Sequence, residues 1–221
     1  KSKGKKYSIG FQKEKDKRIL DFYMEDFYND QILSGQIMLQ DEPIESMVIA
    51  TPFLKKGHFY YNQKINCLRA QGRFKLGKKE FEFSQTDSFG VLDWGRGVWT
   101  YSNTWYWGSA SGLVNGVPFG FNIGYGFGNT ENATENMIFY DGKAHKLNQV
   151  TFIIPSNTDL KGNIKEEYLS NWKFTSDDGR FEMDFQPILD RAAKTDIILI
   201  SSDQHQVFGK FTGKAILDDG T

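Results

Sequence analysis

Asp93 and Arg96 stand three residues apart in the stretch Ser88-Phe-Gly-Val-Leu-Asp-Trp-Gly-Arg-Gly-Val-Trp99, between glycines and among large rings. Four of the five tryptophans, Trp94, Trp99, Trp105 and Trp107, fall in this stretch or its continuation, together with Tyr101. A carboxylate surrounded by rings is desolvated, and such a group at Asp93 can serve as a general acid, provided that no cation pairs with it. A second reading uses the same residues. If a strand runs through Phe89 to Trp94 and Gly95 and Gly97 break it, Arg96 turns back and pairs with Asp93, stapling a bend. Residue types alone leave both readings open.

Trp105 and Trp107, two apart on one extended segment, share a face with Ser109 and Ser111. A face graded from rings to hydroxyls suits a pocket wall, although core packing accounts for the tryptophans equally well. Glu135 and Asn136 put a carboxylate and an amide just before the strand-like run Met137–Tyr140. His205, between Gln204 and Gln206, is the histidine with a polar neighbourhood suited to ligand contact. The three histidines, His58, His145 and His205, are too far apart for a metal-ligand spacing, so no metal is expected. Gly124-Tyr-Gly-Phe-Gly128 lacks the spacing and the following helix of a phosphate loop. Gly108-Ser-Ala-Ser-Gly112 has Ala110 where a nucleophile elbow needs serine. Asn132-Ala-Thr134 matches a glycosylation acceptor with no secretory context.

The elements that must position these side chains read as strands. Ile19–Met24, Gln36–Leu39, Met47–Ala50, Ile197–Ile200 and Gln206–Phe211 have strand length and β-rich composition. Asp41-Glu-Pro43 reads as a turn. Gly72–Leu76 and Glu80–Phe83 alternate strictly, which puts Phe74 with Leu76 and Phe81 with Phe83 on single faces. Asn115-Gly116, Asp141-Gly142 and Asp178-Gly179 supply the positive φ angles of tight hairpins. Lys161–Ser170 and Pro187–Lys194 are the two segments with helical spacing. About a dozen strands in sequence, with at most two short helices, predict an all-β antiparallel meander that closes as a barrel or as paired barrel-like sheets.

Composition agrees. Aromatic residues make up 15% and there are 22 glycines, the mixture expected of strands joined by tight turns. With 27 Lys and Arg against 28 Asp and Glu, the chain has no general attraction to nucleic acid or anionic lipid. Cys67 is the only cysteine, so an internal disulfide is impossible and a reducing, cytoplasmic setting is expected. No apolar run approaches the roughly 20 residues that span a bilayer as a helix. The whole of 1–221 reads as one continuous β region, with an internal boundary near 128–134 or 156–162. Lys1 at the start and Asp218-Asp-Gly-Thr221 at the end suggest a piece of a longer protein.

Val91-Leu-Asp-Trp-Gly-Arg-Gly-Val-Trp99, Trp105-Tyr-Trp107, Thr134-Glu-Asn136 with Asp141-Gly142, and His205-Gln206-Val-Phe-Gly209 with Phe211 and Gly213 together resemble a bacterial family designated domain of unknown function 2804. Thr100 departs from the proline expected there. The resemblance implies a lipocalin-like (calycin) barrel, a longer two-barrel parent, and distant kinship to carotenoid hydratases and tocopherol cyclases. It implies no agreed catalytic residues.

The function expected is binding of a small apolar or ring-containing molecule, such as a lipid, isoprenoid or sugar. Trp94, Arg96, Trp99, Tyr101, Trp105, Trp107, Asn136 and Gln206 would form the pocket. The alternative is a cofactor-independent lyase or isomerase, or a carbohydrate-active enzyme, with Asp93, Glu135 and His205 as its catalytic groups. A purely structural domain is the third reading. No cofactor is expected in any of them.

Overall fold

Short β-branched and aromatic runs, interrupted by glycine and Asx-Gly pairs, favour strands over helices. The computed structural model of the protein has no helix among its described residues. It describes every residue except Asp41, Asn132, Leu160, Ile198 and Leu199. The turn expected at Asp41, the acceptor Asn132 and the middle of the Ile197–Ile200 run therefore lie outside the described residues. The chain divides into two compact units, Lys1–His145 and Lys146–Thr221.

The first unit holds β1 (Ser2–Lys3), β2 (Tyr7–Lys13), β3 (Lys17–Tyr28), β4 (Gln31–Gln40), β5 (Met47–Pro52), β6 (Phe59–Leu76), β7 (Lys79–Phe83) and β8 (Phe89–Val98). These form one antiparallel eight-stranded sheet, curled as a half-barrel. The 18-residue β6 is its spine, pairing with β4 and β5 and also with β7 and β8. A second sheet follows: β9 (Tyr106–Val114), β10 (Val117–Tyr125), β11 (Met137–Tyr140) and β12 (Lys143–Lys146), in the order β12-β11-β10-β9.

Two features locate this unit's core. On one face of the half-barrel, Leu39, Ile65, Leu68 and Ala70 are buried with Leu20, Ile37 and Leu92 against them. On the other face, Met47 and Cys67 pack with Phe139 of the second sheet, together with Ile49, Phe89 and Met137. Burying apolar area in this way is the main favourable term in folding. Asn115-Gly116 and Asp141-Gly142 form the expected two-residue hairpins, with positive φ at all four positions. Phe74 stacks on Phe81 at 4.5 Å across the hairpin of β6 and β7.

The second unit holds β13 (Val150–Ile153), β14 (Ser156–Thr158), β15 (Ile164–Glu166), β16 (Trp172–Ser176), β17 (Phe181–Ile197) and β18 (Ile200–Ala215). β13-β16-β17-β18 form its main sheet, and β14 and β15 a small separate pair. Phe181, Met183 and Phe185 alternate inward with Glu182 and Asp184 outward, as expected.

Both segments with helical spacing are strands or turns instead. Pro187–Lys194 continues β17, because its backbone pairs with β18 from Gly209 to Asp203 and Pro187 sits at the register shift, where no ladder N–H is needed. Lys161–Ser170 holds β15, and Asp159 Oδ1 accepts hydrogen bonds from the N–H groups of Lys161 and Asn163, a turn that closes a hairpin. No helix among the described residues is long and apolar enough to cross a membrane.

Candidate functional site

Facing residues of paired strands share a side of the sheet, and β6 meets β8 as Lys64↔Asp93, Asn62↔Gly95 and Tyr60↔Gly97. Tyr60, Asn62, Lys64 and Asp93 therefore project together. Lys64 is only 2% exposed. Its Nζ lies 2.6 Å from Asp93 Oδ1, 3.4 Å from Glu135 Oε2 and 5.0 Å from the centre of the Trp107 ring. A buried ammonium persists only where charges and rings compensate it, and all three do so here.

The second sheet supplies the facing side. Trp107 Nε1 donates to Asn122 Oδ1 at 2.8 Å, and Asn122 Nδ2 donates to the Glu135 carbonyl at 2.9 Å. Asn136 Oδ1 accepts from the Gly124 N–H at 2.7 Å. These two buried asparagines fasten the segment before β11 to β10, and so fix Glu135. Its Oε2 also accepts from Asn62 Nδ2 at 3.2 Å. Glycine at 124 is required by space: a Cβ there would stand 2.7 Å from Glu135 Oε1 and 2.9 Å from the Tyr106 carbonyl.

Beside this polar group lies a cluster of rings centred on Phe127. Tyr60, Phe53, Trp105 and Trp99 approach it edge-on, with centroids at 4.8, 5.4, 5.4 and 5.5 Å. Such edge-to-face contacts add to the apolar area each ring buries. A narrow cleft, open to solvent and with enclosed room for about one water molecule, runs between rings and polar floor, lined by Thr51, Tyr60, Asn62, Tyr125, Phe127 and Glu135 among others. Burial pushes the Tyr60 phenol above its ordinary pKa, an effect partly offset by the Lys64 charge and the Asn62 amide. Asn62 Oδ1 is buried and has no hydrogen-bond partner.

The residues singled out from sequence divide between two faces and two units. Asp93 does not pair with Arg96. β8 runs unbroken through Gly95 and Gly97 to Val98, so residues three apart point to opposite sides. Asp93 is the counter-ion of Lys64, while the Arg96 guanidinium lies 5.9 Å from the rings of Tyr61 and Trp94 on the other face. Trp94 therefore turns away from Asp93. Trp99 and Trp105 are about half exposed and border the cleft through Phe127. Tyr101 is 88% exposed in the connection between β8 and β9.

Ser109 and Ser111 do face inward with Trp107, but their hydroxyls accept from Asn66 Nδ2 and the Cys67 N–H. Asn136 is a buried brace. His205 and Gln206 belong to the second unit. There His205 Nδ1 donates to Asp190 Oδ2 at 2.7 Å and its ring stacks on Tyr168 at 3.8 Å. Gln206 Oε1 accepts from Arg191 Nη1 at 3.5 Å. Among the described residues no three His, Cys, Asp or Glu side chains gather as metal ligands would.

Lys64, Asn62, Tyr60 and Phe127 were not singled out from sequence. The signal for the first two was present: Asn62, Lys64 and Asn66 recur at even spacing in a run whose other positions include Tyr61 and Ile65, a polar face on a strand flanked by apolar neighbours. Phe127 lies in the Gly124–Gly128 run, whose spacing does not fit a phosphate loop and gives no other sign of a site. Gly126 and Gly128, at φ of +91° and +86°, shape the turn that carries its ring.

No curated protein and no solved structure matches the chain. The model of a family described as Domain of unknown function (DUF2804) matches residues 1–221, the whole of the chain, which therefore belongs to that family.

Proposed function

We propose that the first unit binds a small ring-containing molecule at the cleft between the Phe127 rings and the floor formed by Asn62 and Glu135, with the ligand's polar group in the narrow cleft and its ring outside it. The observation that carries this reading is the joining of an aromatic wall to a buried polar floor with an unsatisfied acceptor, Asn62 Oδ1. Ligand sites are concave and mostly apolar, with a few placed polar groups that orient what enters. A buried acceptor with no donor is costly in a structure that has no use for it. Asp93 is engaged with Lys64, which favours binding over proton donation from Asp93 as the role of this floor. The half-barrel and the resemblance to lipocalin-like proteins fit the same reading, with a sterol-like lipid, an isoprenoid or a sugar as the ring-bearing classes to test.

Trp99 and Trp105 border the cleft through Phe127, so their fluorescence reports occupancy. Titration of the 221-residue chain with lipids, isoprenoids, sugars and simple benzene derivatives is expected to give saturable quenching with at least one ring-bearing compound. Phe127→Ala is expected to abolish it. A flat response to every compound would overturn the proposal.

A further inference from the structure

Resting on the binding reading above, the chemistry of the floor selects among ring-bearing ligands. Both contacts of the Glu135 side chain, from Asn62 Nδ2 and Lys64 Nζ, fall on Oε2. Oε1 is left over Gly124, one of the residues lining the cleft. Asn62 is 1% exposed, lines the same cleft and has a buried Oδ1 without a partner. Its amide orientation is not arbitrary, because Nδ2 must face the carboxylate and the carbonyl oxygen is then the atom left over. Asn62 Oδ1 is thus buried without a donor, and Glu135 Oε1 can accept one from the cleft.

The charge balance points the same way. One ammonium, Lys64, stands between two carboxylates, and it is closer to Asp93 at 2.6 Å than to Glu135 at 3.4 Å. The floor carries one uncompensated negative charge. The charged groups that act on Tyr60 at the cleft wall are these three, and Arg96 lies on the opposite face of β8. An anion would be repelled and a cation drawn in. The rings of Tyr60 and Phe127 add a favourable surface for a cation.

A quaternary ammonium would satisfy the charge but not the two acceptors, which require N–H groups. We infer that the cleft takes the protonated amino group of a small ring-bearing primary amine, with Asn62 Oδ1 and Glu135 Oε1 accepting its N–H bonds and the rings of Tyr60 and Phe127 flanking it.

The test is calorimetric titration of the full 221-residue chain at neutral pH with four probes built on one ring: benzylamine, benzyl alcohol, benzoate and benzyltrimethylammonium. Benzylamine is expected to bind at least tenfold more tightly than benzyl alcohol or benzyltrimethylammonium, and benzoate least of all. Glu135→Gln, which keeps the shape and removes the charge, is expected to bring the amine and the alcohol together. If benzyl alcohol or benzoate binds as tightly as benzylamine, the amine assignment is overturned and the ring-binding reading stands. Equal binding of the trimethyl probe overturns the role given to the two acceptors. If none of the four binds, and the wider panel also leaves tryptophan emission flat, the site itself is overturned.

Discussion

Lys64 is the residue on which this site turns. A lysine so completely buried is uncommon, and it is tolerated because Asp93, Glu135 and Trp107 surround its ammonium. Lys64→Met keeps much of the volume and removes the charge, leaving two carboxylates facing each other's field. Breaking a buried pair from one side costs about 3–5 kcal/mol, and the partial exposure of Asp93 sets the expectation near the lower figure. The denaturation midpoint in urea should fall accordingly, and adding Asp93→Asn and Glu135→Gln to Lys64→Met should recover much of the loss.

Tyr60 predicts a pH effect with a definite sign. Its phenol is pushed above the ordinary value near 10, chiefly by burial, whereas in the unfolded chain it ionises at that ordinary value. Between the two values the folded protein holds more protons than the unfolded one. Stability therefore falls as pH rises through this alkaline window. Tyr60→Phe should flatten that part of the stability profile, measured by urea denaturation across pH.

At the scale of the element, β6 does two jobs, and a bulge lets it do so. Ile65 pairs with Leu92 and Leu68 with Gly90, so three steps along β6 match two along β8. The extra residue lies at Asn66-Cys67, where Cys67 adopts φ of +60°, a left-handed conformation costing a non-glycine residue about 1–2 kcal/mol. The bulge puts Ile65 and Leu68 into one apolar cluster while Asn62 and Lys64 keep the polar face. A bulge also frees backbone groups from the ladder, and the second sheet satisfies one of them: Ser111 Oγ accepts from the Cys67 N–H at 3.0 Å. Ser111→Ala would leave that buried N–H without an acceptor. The expected loss is about 1–3 kcal/mol in thermal or urea unfolding, with the tryptophan response to ligand largely retained because Ser111 does not line the cleft.

At the scale of the whole chain, two compact units divide the residues that sequence had grouped by chemistry. Asp93 and Glu135 fall in the first, held 3.4 Å or closer to Lys64, while His205 and Gln206 fall in the second with Asp190, Tyr168 and Arg191 as neighbours. The division at His145/Lys146 lies between the stretches 128–134 and 156–162, where composition alone places a boundary. Gly126 and Gly128 belong to the turn that carries Phe127, and Ser156–Thr158 pairs with Ile164–Glu166 as β14 and β15.

Local chemistry was enough to determine the all-β class and most of the hairpins. Period-two alternation in Gly72–Phe83 and Phe181–Phe185, and the positive φ demanded at Asn115-Gly116 and Asp141-Gly142, are properties of adjacent residues. Pro187–Lys194 has helical spacing yet is strand, because the ladder to β18 is a contact with residues far along the chain and outweighs spacing. Local chemistry brings Glu135 into the candidate site for its carboxylate, but the one cation it offers Asp93 is Arg96. Arg96 is three residues away in sequence but across the sheet in space, whereas Lys64, 29 residues away, is opposite Asp93 in register. Which cation meets a carboxylate is decided by strand pairing and by which face each residue takes. Only the tertiary structure sets both, because each depends on an unbroken β8 and on the single extra residue in β6.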